Sequence, residues 1–187
     1  MTIPPQPVVP ASQQGQGEVL LRYEDVSQDG RVVLHALPNA LAAAMWRRLL
    51  AEPAESIAAA MRDAGIVPIL TRMVLEGDGG PLSVRGTVRA SGCFDFAHTV
   101  DAAGGIDRIL LGMWATLEGQ KARTHGPPPP DAGAPVVVGR VFADHVFTRP
   151  FAPAGQRKVL RLEVAGLPPI PPTRRPWPAL EAIVELP

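Results

Sequence analysis

The stretch YEDVSQDGRVVLHALPN, Tyr23 to Asn39, places three carboxylates, a glycine, a histidine and an asparagine directly ahead of an alanine-rich run. Around it, Val19–Val26 and Arg31–His35 are short runs of strand formers separated by Ser27-Gln28-Asp29-Gly30. Asp-Gly between such runs is a hairpin signal, because both residues accept positive φ. Pro38-Asn39 then opens a helix with Asn39 as its N-cap. Leu41, Met45 and Leu49 recur at i, i+4 and i+8, so one stripe of that helix is buried. Ala40, Ala42, Ala43 and Ala44 make its first turns thin-walled, which lets the helix lie close to a sheet. Glu52-Pro53 interrupts it. A second helical segment, with Ile57, Met61 and Ala64 inward, runs to Ala64 and stops at Gly65.

Beyond Gly65 the chain reads as strand. Ile66–Glu76 is the first run, and Gly77-Asp78-Gly79-Gly80-Pro81 its turn. From Val84 to Asp101 polarity alternates with period two over a length that does not stay flat, and Gly92 is the place to bend. In Ile106–Glu118 the centre, Ile109 to Ala115, is apolar on both faces, as a central strand requires. Val136–Phe147 and Lys158–Val164 complete the sheet. Helices and strands are segregated along the chain, which predicts an α+β fold. Prolines divide the remainder. Residues 1–17 read as a disordered arm, 18–166 as one domain, and 167–187 as a Pro-rich strap that Trp177 anchors.

The 187 residues suffice for a real core, and the formal charge of zero gives no polyanion-binding signature, so no nucleic-acid partner is expected. One cysteine, Cys93, allows neither an intrachain disulfide nor a cysteine-built metal site. No basic-then-apolar leader opens the sequence, and no apolar run is long enough for a membrane span. The expectation is a cytoplasmic domain with no metal and no membrane partner.

A hairpin, a long Ala-rich helix and then a bent antiparallel sheet resemble the hotdog superfamily over Glu18 to Val164, here as a single hotdog domain whose curved sheet wraps a central helix. A cone-shaped fold of the NTF2 or cyclase type is the alternative, and a strand pair before the first helix counts against it. Asp25-Val26-Ser27-Gln28-Asp29-Gly30, with Asn39 further on, resembles the D-x-D-x-x-G pattern of acyl thioesterases of the 4-hydroxybenzoyl-CoA type. Ser27 stands where that pattern has its catalytic carboxylate, and three extra residues separate Gly30 from Asn39. His35-Ala36-Leu37-Pro38 is loosely similar to the β-hydroxyacyl dehydratases, but Ala40 to Ala51 offers none of the acid that dehydration needs.

The resemblance implies hydrolysis of an acyl thioester carried on coenzyme A or an acyl carrier protein, with no cofactor beyond the coenzyme A or phosphopantetheine of the substrate. It implies Asp25 or Asp29 as base or nucleophile, and His35 and Asn39 as orienting groups. The amides of Ala40 and Leu41 would hold the oxyanion. Phe94, Phe96, Met113 and Trp114 would wall the acyl channel. Arg149 and Arg157, with Lys158 and Arg161 and the strap's Arg174-Arg175, would meet the carrier's phosphate. In the family the pocket forms between subunits, so a homodimer or a dimer of dimers is implied. Each feature also has a plainer account. Asp29-Gly30 serves as a turn, Asn39 as a cap, the four aromatic and sulfur side chains as core, and the cations as a charged strand edge. A hotdog protein that binds an acyl group or partner without turnover is the competing reading, and Ser27 is the residue in its favour. A dehydratase relying on His35 is the third.

Overall fold

The structure, a computed structural model, describes residues 2–49, 54–77, 79–123, 125–164 and 167–177. Glu52-Pro53 and Asp78, read above as a helix break and part of a turn, lie outside the described residues, as does the strap beyond Trp177. One six-stranded sheet holds the fold together, in the order β1 (Gln14–Val19), β3 (Val88–Val100), β4 (Ile106–Gln120), β5 (Pro135–Thr148) and β2 (Val67–Glu76). These five pair antiparallel. A two-residue β6 (Thr173–Arg174) pairs parallel with β3 where β1 has ended. A central helix, 39–49, packs on the inner face, and this is the hotdog arrangement. The expected central strand is β4: Ile109 through Ala115 are all buried, flanked by β3 and β5.

Leu41 and Met45 are buried and Leu49 packs against the same core, as the stripe predicts. The helix is not a plain α-helix, because Ala42–Trp46 is a π segment between α turns at Asn39–Leu41 and Arg47–Leu49. Ala43, Ala44 and Met45 are buried in succession, and β1, β3 and β4 all contact this segment. β1 comes closest of all. A Cβ on Gly15 would sit 2.2 Å from the Ala44 carbonyl oxygen, and one on Gly17 2.4 Å from that of Ala43. The second helix, Ala54–Asp63, ends in a Schellman motif. Gly65, at φ +66°, donates to the Arg62 carbonyl, Ile66 donates to that of Met61, and the Ile66 and Met61 side chains are both buried. Ala64, expected inward, is instead exposed in that turn because the chain has already left the helix there, and the side chain of Ile57 lies outside the described residues.

Three expectations need correction. The two runs around Ser27–Gly30 do not form an extended hairpin. They share a single bridge, Val26↔Val32, between 3-10 turns at Tyr23–Asp25 and Leu34–Ala36. Only Gly30 has positive φ there. Lys158–Val164 adds no strand, because β4 and β2 already occupy both edges of β5, although Val159, Leu162 and Val164 each plug the core. Finally, β1 begins at Gln14, inside the stretch read as a disordered arm.

The residues before β1 cross the outer face of the sheet. That face carries an apolar row, Cys93–Trp114–Phe142–Val74, on which Ile3 and Val9 pack. The Trp114 indole N–H donates to the Pro4 carbonyl at 3.0 Å, and the Ile3 N–H to Glu76 Oε1 at 3.0 Å. Two residues along lies an ionic row, Asp95–Gly112–Asp144–Arg72. Arg175 of the strap lies over the gap at Gly112, 2.7 Å from Asp144 Oδ1 and 3.5 Å from Asp95 Oδ2. Asp95 is therefore partnered by the strap. The strap is held further by the Arg175 N–H on the His98 carbonyl, and by His98 Nδ1–H donating to the Pro171 carbonyl. A carbonyl only accepts, which settles that tautomer.

Candidate functional site

The turn at the centre of the opening stretch lines a cleft of about 440 Å³. Ser27 and Gly30 close it, with the Gly30 N–H donating to the Ser27 carbonyl and the Ser27 N–H to that of Arg31. The Gly30 carbonyl accepts from Leu82, docking the turn on the loop between β2 and β3. Val26, Leu82 and Val84 make the apolar part of the lining, while Tyr23, Ser27 and Asp29 bring polar groups from the turn. Arg123 and His125 bring theirs from the loop after β4. Neither was singled out from sequence. The available signal was two ionisable residues just past the end of a long central strand, and only the docked turn places them in one cleft with Asp29.

Asp29 is the carboxylate in that lining. The Ser27 hydroxyl donates to it, the Arg31 N–H donates at 3.3 Å, and the Arg31 guanidinium lies 3.4 Å away. These groups, Ser27 foremost, hold it below the ordinary carboxylate range. It sits at the exposed rim of the turn.

Asp25 is a different case. It is fully buried, and burial alone would raise its pKa. The Arg22 backbone N–H at 2.9 Å and the Arg22 guanidinium at 3.3 Å outweigh that cost and hold the carboxylate below its usual range, with help from His35. Asp25 thus fastens the Tyr23–Asp25 turn and is not among the residues that line the cleft. Its folded-state pKa lies below the unfolded value near 3.9, so its stabilisation is complete above that value and disappears as pH falls through the folded one. We therefore expect Asp25→Asn to lower the urea midpoint by a constant amount from neutrality to about pH 5. The gap to the native chain should close below about pH 4.

The other sequence candidates are scattered. His35 and Asn39 are exposed at the start of the central helix. Asn39 is the first helical residue and not the N-cap; Pro38 holds that place, with no side-chain capping bond. The Ala40 and Leu41 amides already donate to Leu37 and Pro38 carbonyls at 3.0 and 3.1 Å, because a 3-10 turn runs straight into the helix. They are not open donors for an oxyanion. Phe94 and Met113 are paired on the inner face and belong to the core, with Phe96 packed against it. Trp114 points the other way, onto the outer face, so the four do not wall one channel. Arg149 and Arg157 flank the loop after β5, at the opposite end of the strands from the cleft. At about 3.3 Å per residue, some 40 Å of strand separates the two ends, too far for one small ligand on one chain.

Asp144 and His145 face opposite sides of β5, as their adjacency predicts. Asp144 joins the ionic row, while His145 packs edge-on against Trp46, its ring centroid 5.5 Å away. Burial lowers the His145 pKa. Burial likewise pushes the Cys93 thiol up to about 11, which removes it as a nucleophile. Among the described residues no group of His, Cys, Asp and Glu is placed to hold a metal ion, and no helix is long and apolar enough to cross a membrane.

No family model and no curated protein matches the chain. Among solved structures, it is similar to a thioesterase superfamily structure from Jannaschia sp. CCS1, at 12% identity and a TM-score of 0.42 over 79% of this chain and 84% of that one. It is also similar to a mutant of 4-hydroxybenzoyl CoA thioesterase complexed with 4-hydroxybenzoyl CoA, at 14% identity and 0.43 over 77% and 96%. A hypothetical protein from Aquifex aeolicus follows at 11% and 0.37 over 75% and 94%. The fold assignment rests on the strand order and the helix against the inner face, not on these likenesses.

Proposed function

We propose that this chain binds a short acyl thioester, on coenzyme A or a carrier protein, in the cleft beside the Ser27–Gly30 turn and hydrolyses it there. The observation that carries the reading is that Asp29, Arg123 and His125 line one partly apolar cleft. In the proposed reaction Asp29 accepts a proton from water as the water oxygen attacks the thioester carbonyl. Arg123 offsets the charge gained by the carbonyl oxygen, a task the bonded Ala40 and Leu41 amides do not perform. The C–S bond then breaks, His125 gives a proton to the departing sulfur, and the products are a carboxylic acid and a thiol. Ser27, standing where the resembling family has its carboxylate, orients Asp29. Val26, Leu82 and Val84 bound the acyl part, and the closed core around Met113 and Phe94 argues for a short chain.

A second copy along β2 accompanies this reading. β2 pairs on one side only, and Ile69, Leu70 and Met73 are exposed along it, an apolar edge of the kind that proteins pair or cover. The outer face, on which Ile3, Val9 and Arg175 already lie, leaves the β2 edge as the place for a dimer contact. A reducing cytosol suits the single thiol.

Acyl binding without turnover is the second reading. It is favoured by the depressed pKa of Asp29, which makes a weak base, and by the occupied helix amides. A panel of acyl-CoA thioesters with colorimetric detection of thiol separates the two. Hydrolysis of short-chain esters that falls about a hundredfold in Asp29→Asn supports the enzyme. Binding without thiol release at any chain length supports the binder, and neither binding nor release removes both.

A further inference from the structure

The end of the sheet opposite the cleft carries an aromatic and basic surface that the proposed reaction does not use. Phe151 is 96% exposed at the tip of the loop after β5. It is held out there by a closed frame. The Arg149 N–H donates to the Arg157 carbonyl, the Ala152 N–H to that of Arg149, and the Gln156 N–H to that of Pro153. Arg157 Nε–H ties back to the Ala152 carbonyl, and Pro150 and Pro153 bracket the tip. Among the described residues nothing covers the Phe151 ring.

Further apolar and cationic groups continue the surface. Leu160 is 43% exposed and Trp177 38%, and the Arg108 guanidinium lies 4.3 Å from the Trp177 ring centroid. Lys158 Nζ is 2.6 Å from Asp107, whose carboxylate also meets Arg108, which ties the loop to the Trp177 region. Arg149 is half-buried at the base of the loop, and Arg157, Lys158 and Arg161 are exposed around it. Asp107, Glu163 and, on the turn between β3 and β4, Asp101 are the nearby acids, fewer than the five cations Arg108, Arg149, Arg157, Lys158 and Arg161.

We propose that this end of the molecule seats on an anionic bilayer surface, with Phe151 entering the headgroup layer and Arg157, Lys158 and Arg161 meeting lipid phosphates. The protruding tip decides between a bilayer and an acidic protein. A lone convex aromatic buries little area against a flat protein face but is fully covered in a headgroup layer, where amphipathic aromatics and cations act together. Neutral net charge and the lack of a long apolar segment gave no hint of this in the sequence, because the surface is assembled from three separate segments.

The test is co-sedimentation of the full chain with phosphatidylcholine vesicles, with and without about one third phosphatidylglycerol. Partitioning onto the anionic vesicles should exceed that onto the neutral ones about tenfold and should weaken as salt shortens the screening length. Phe151→Ala should reduce it about fivefold with the thermal midpoint unchanged, and Arg157→Glu with Arg161→Glu should abolish it. Equal partitioning onto both vesicle types overturns the proposal. So does binding indifferent to Phe151→Ala, or retention on polyglutamate matching that on anionic vesicles, because either makes the surface a charge patch alone.

Discussion

Gly15→Ala and Gly17→Ala should each lower the stability of the folded chain by about 3 kcal/mol, and together should prevent β1 from docking. Ordinary overpacking is relieved by a side-chain rotation. Here the obstacle is backbone: the carbonyl oxygens of Ala44 and Ala43 stand 2.2 and 2.4 Å from the new methyl groups. Those carbonyls belong to the π segment of the central helix, so relief requires moving the helix or lifting the strand from it. Gly155→Ala, where nothing lies within 4 Å, should stay within about 0.5 kcal/mol of the native chain. Urea midpoints for the three variants decide the matter. A Gly15→Ala midpoint equal to that of Gly155→Ala would mean that the helix and β1 are not in contact.

Arg175→Ala should be about as costly, by roughly 3–5 kcal/mol, because it strips the shared cation from two buried carboxylates. Asp144 keeps Arg72 at 2.8 Å, whereas Asp95 is left without a cation. Arg175→Met tests whether packing over Trp114 accounts for the effect; it should rescue little, since it keeps apolar bulk and loses charge. The pH dependence is distinctive. Burial raises the Asp95 pKa in the folded state, opposed by Arg175. Between the unfolded and the raised folded value, the folded chain holds a proton that the unfolded chain has released. Stability therefore falls as pH rises through that interval and stays lower above it. Removing Arg175 moves the upper limit higher, so the variant should be least stable relative to the native chain near neutrality and should recover towards about pH 4. A destabilisation independent of pH would assign Arg175 a packing role only.

Periodicity made the framework readable. Leu41, Met45 and Leu49 gave the helix its buried stripe, and the doubly apolar Ile109–Ala115 put β4 at the centre. What depended on distant contacts was not readable. Gln14–Val19 holds two glycines and no aromatic residue, a poor strand by composition. It becomes β1 because those glycines are what the π segment admits. Lys158–Val164 has the opposite history, with strand-like residues but both edges of β5, the strand just before it, already taken. At the cleft, the turn was legible from Asp29-Gly30, and the carboxylates near it from their spacing. Their fates were not, because Asp25 is buried and bonded to Arg22 three residues earlier while Asp29 is turned outward beside residues from another loop. Arg175 reaching Asp95 and Asp144 across 80 and 31 positions left no local trace.

The central functional claim is that the acyl group occupies the cleft at the Ser27–Gly30 turn. Titrating the labelled chain with a non-hydrolysable acyl-CoA thioether and following amide and side-chain NMR shifts tests it directly. The account predicts saturable changes concentrated at Tyr23, Val26 to Gly30, Leu82, Arg123 and His125, stronger for short acyl chains than for long. Changes centred on Trp46, His145 and Phe96, with Asp29 and His125 silent, would contradict it.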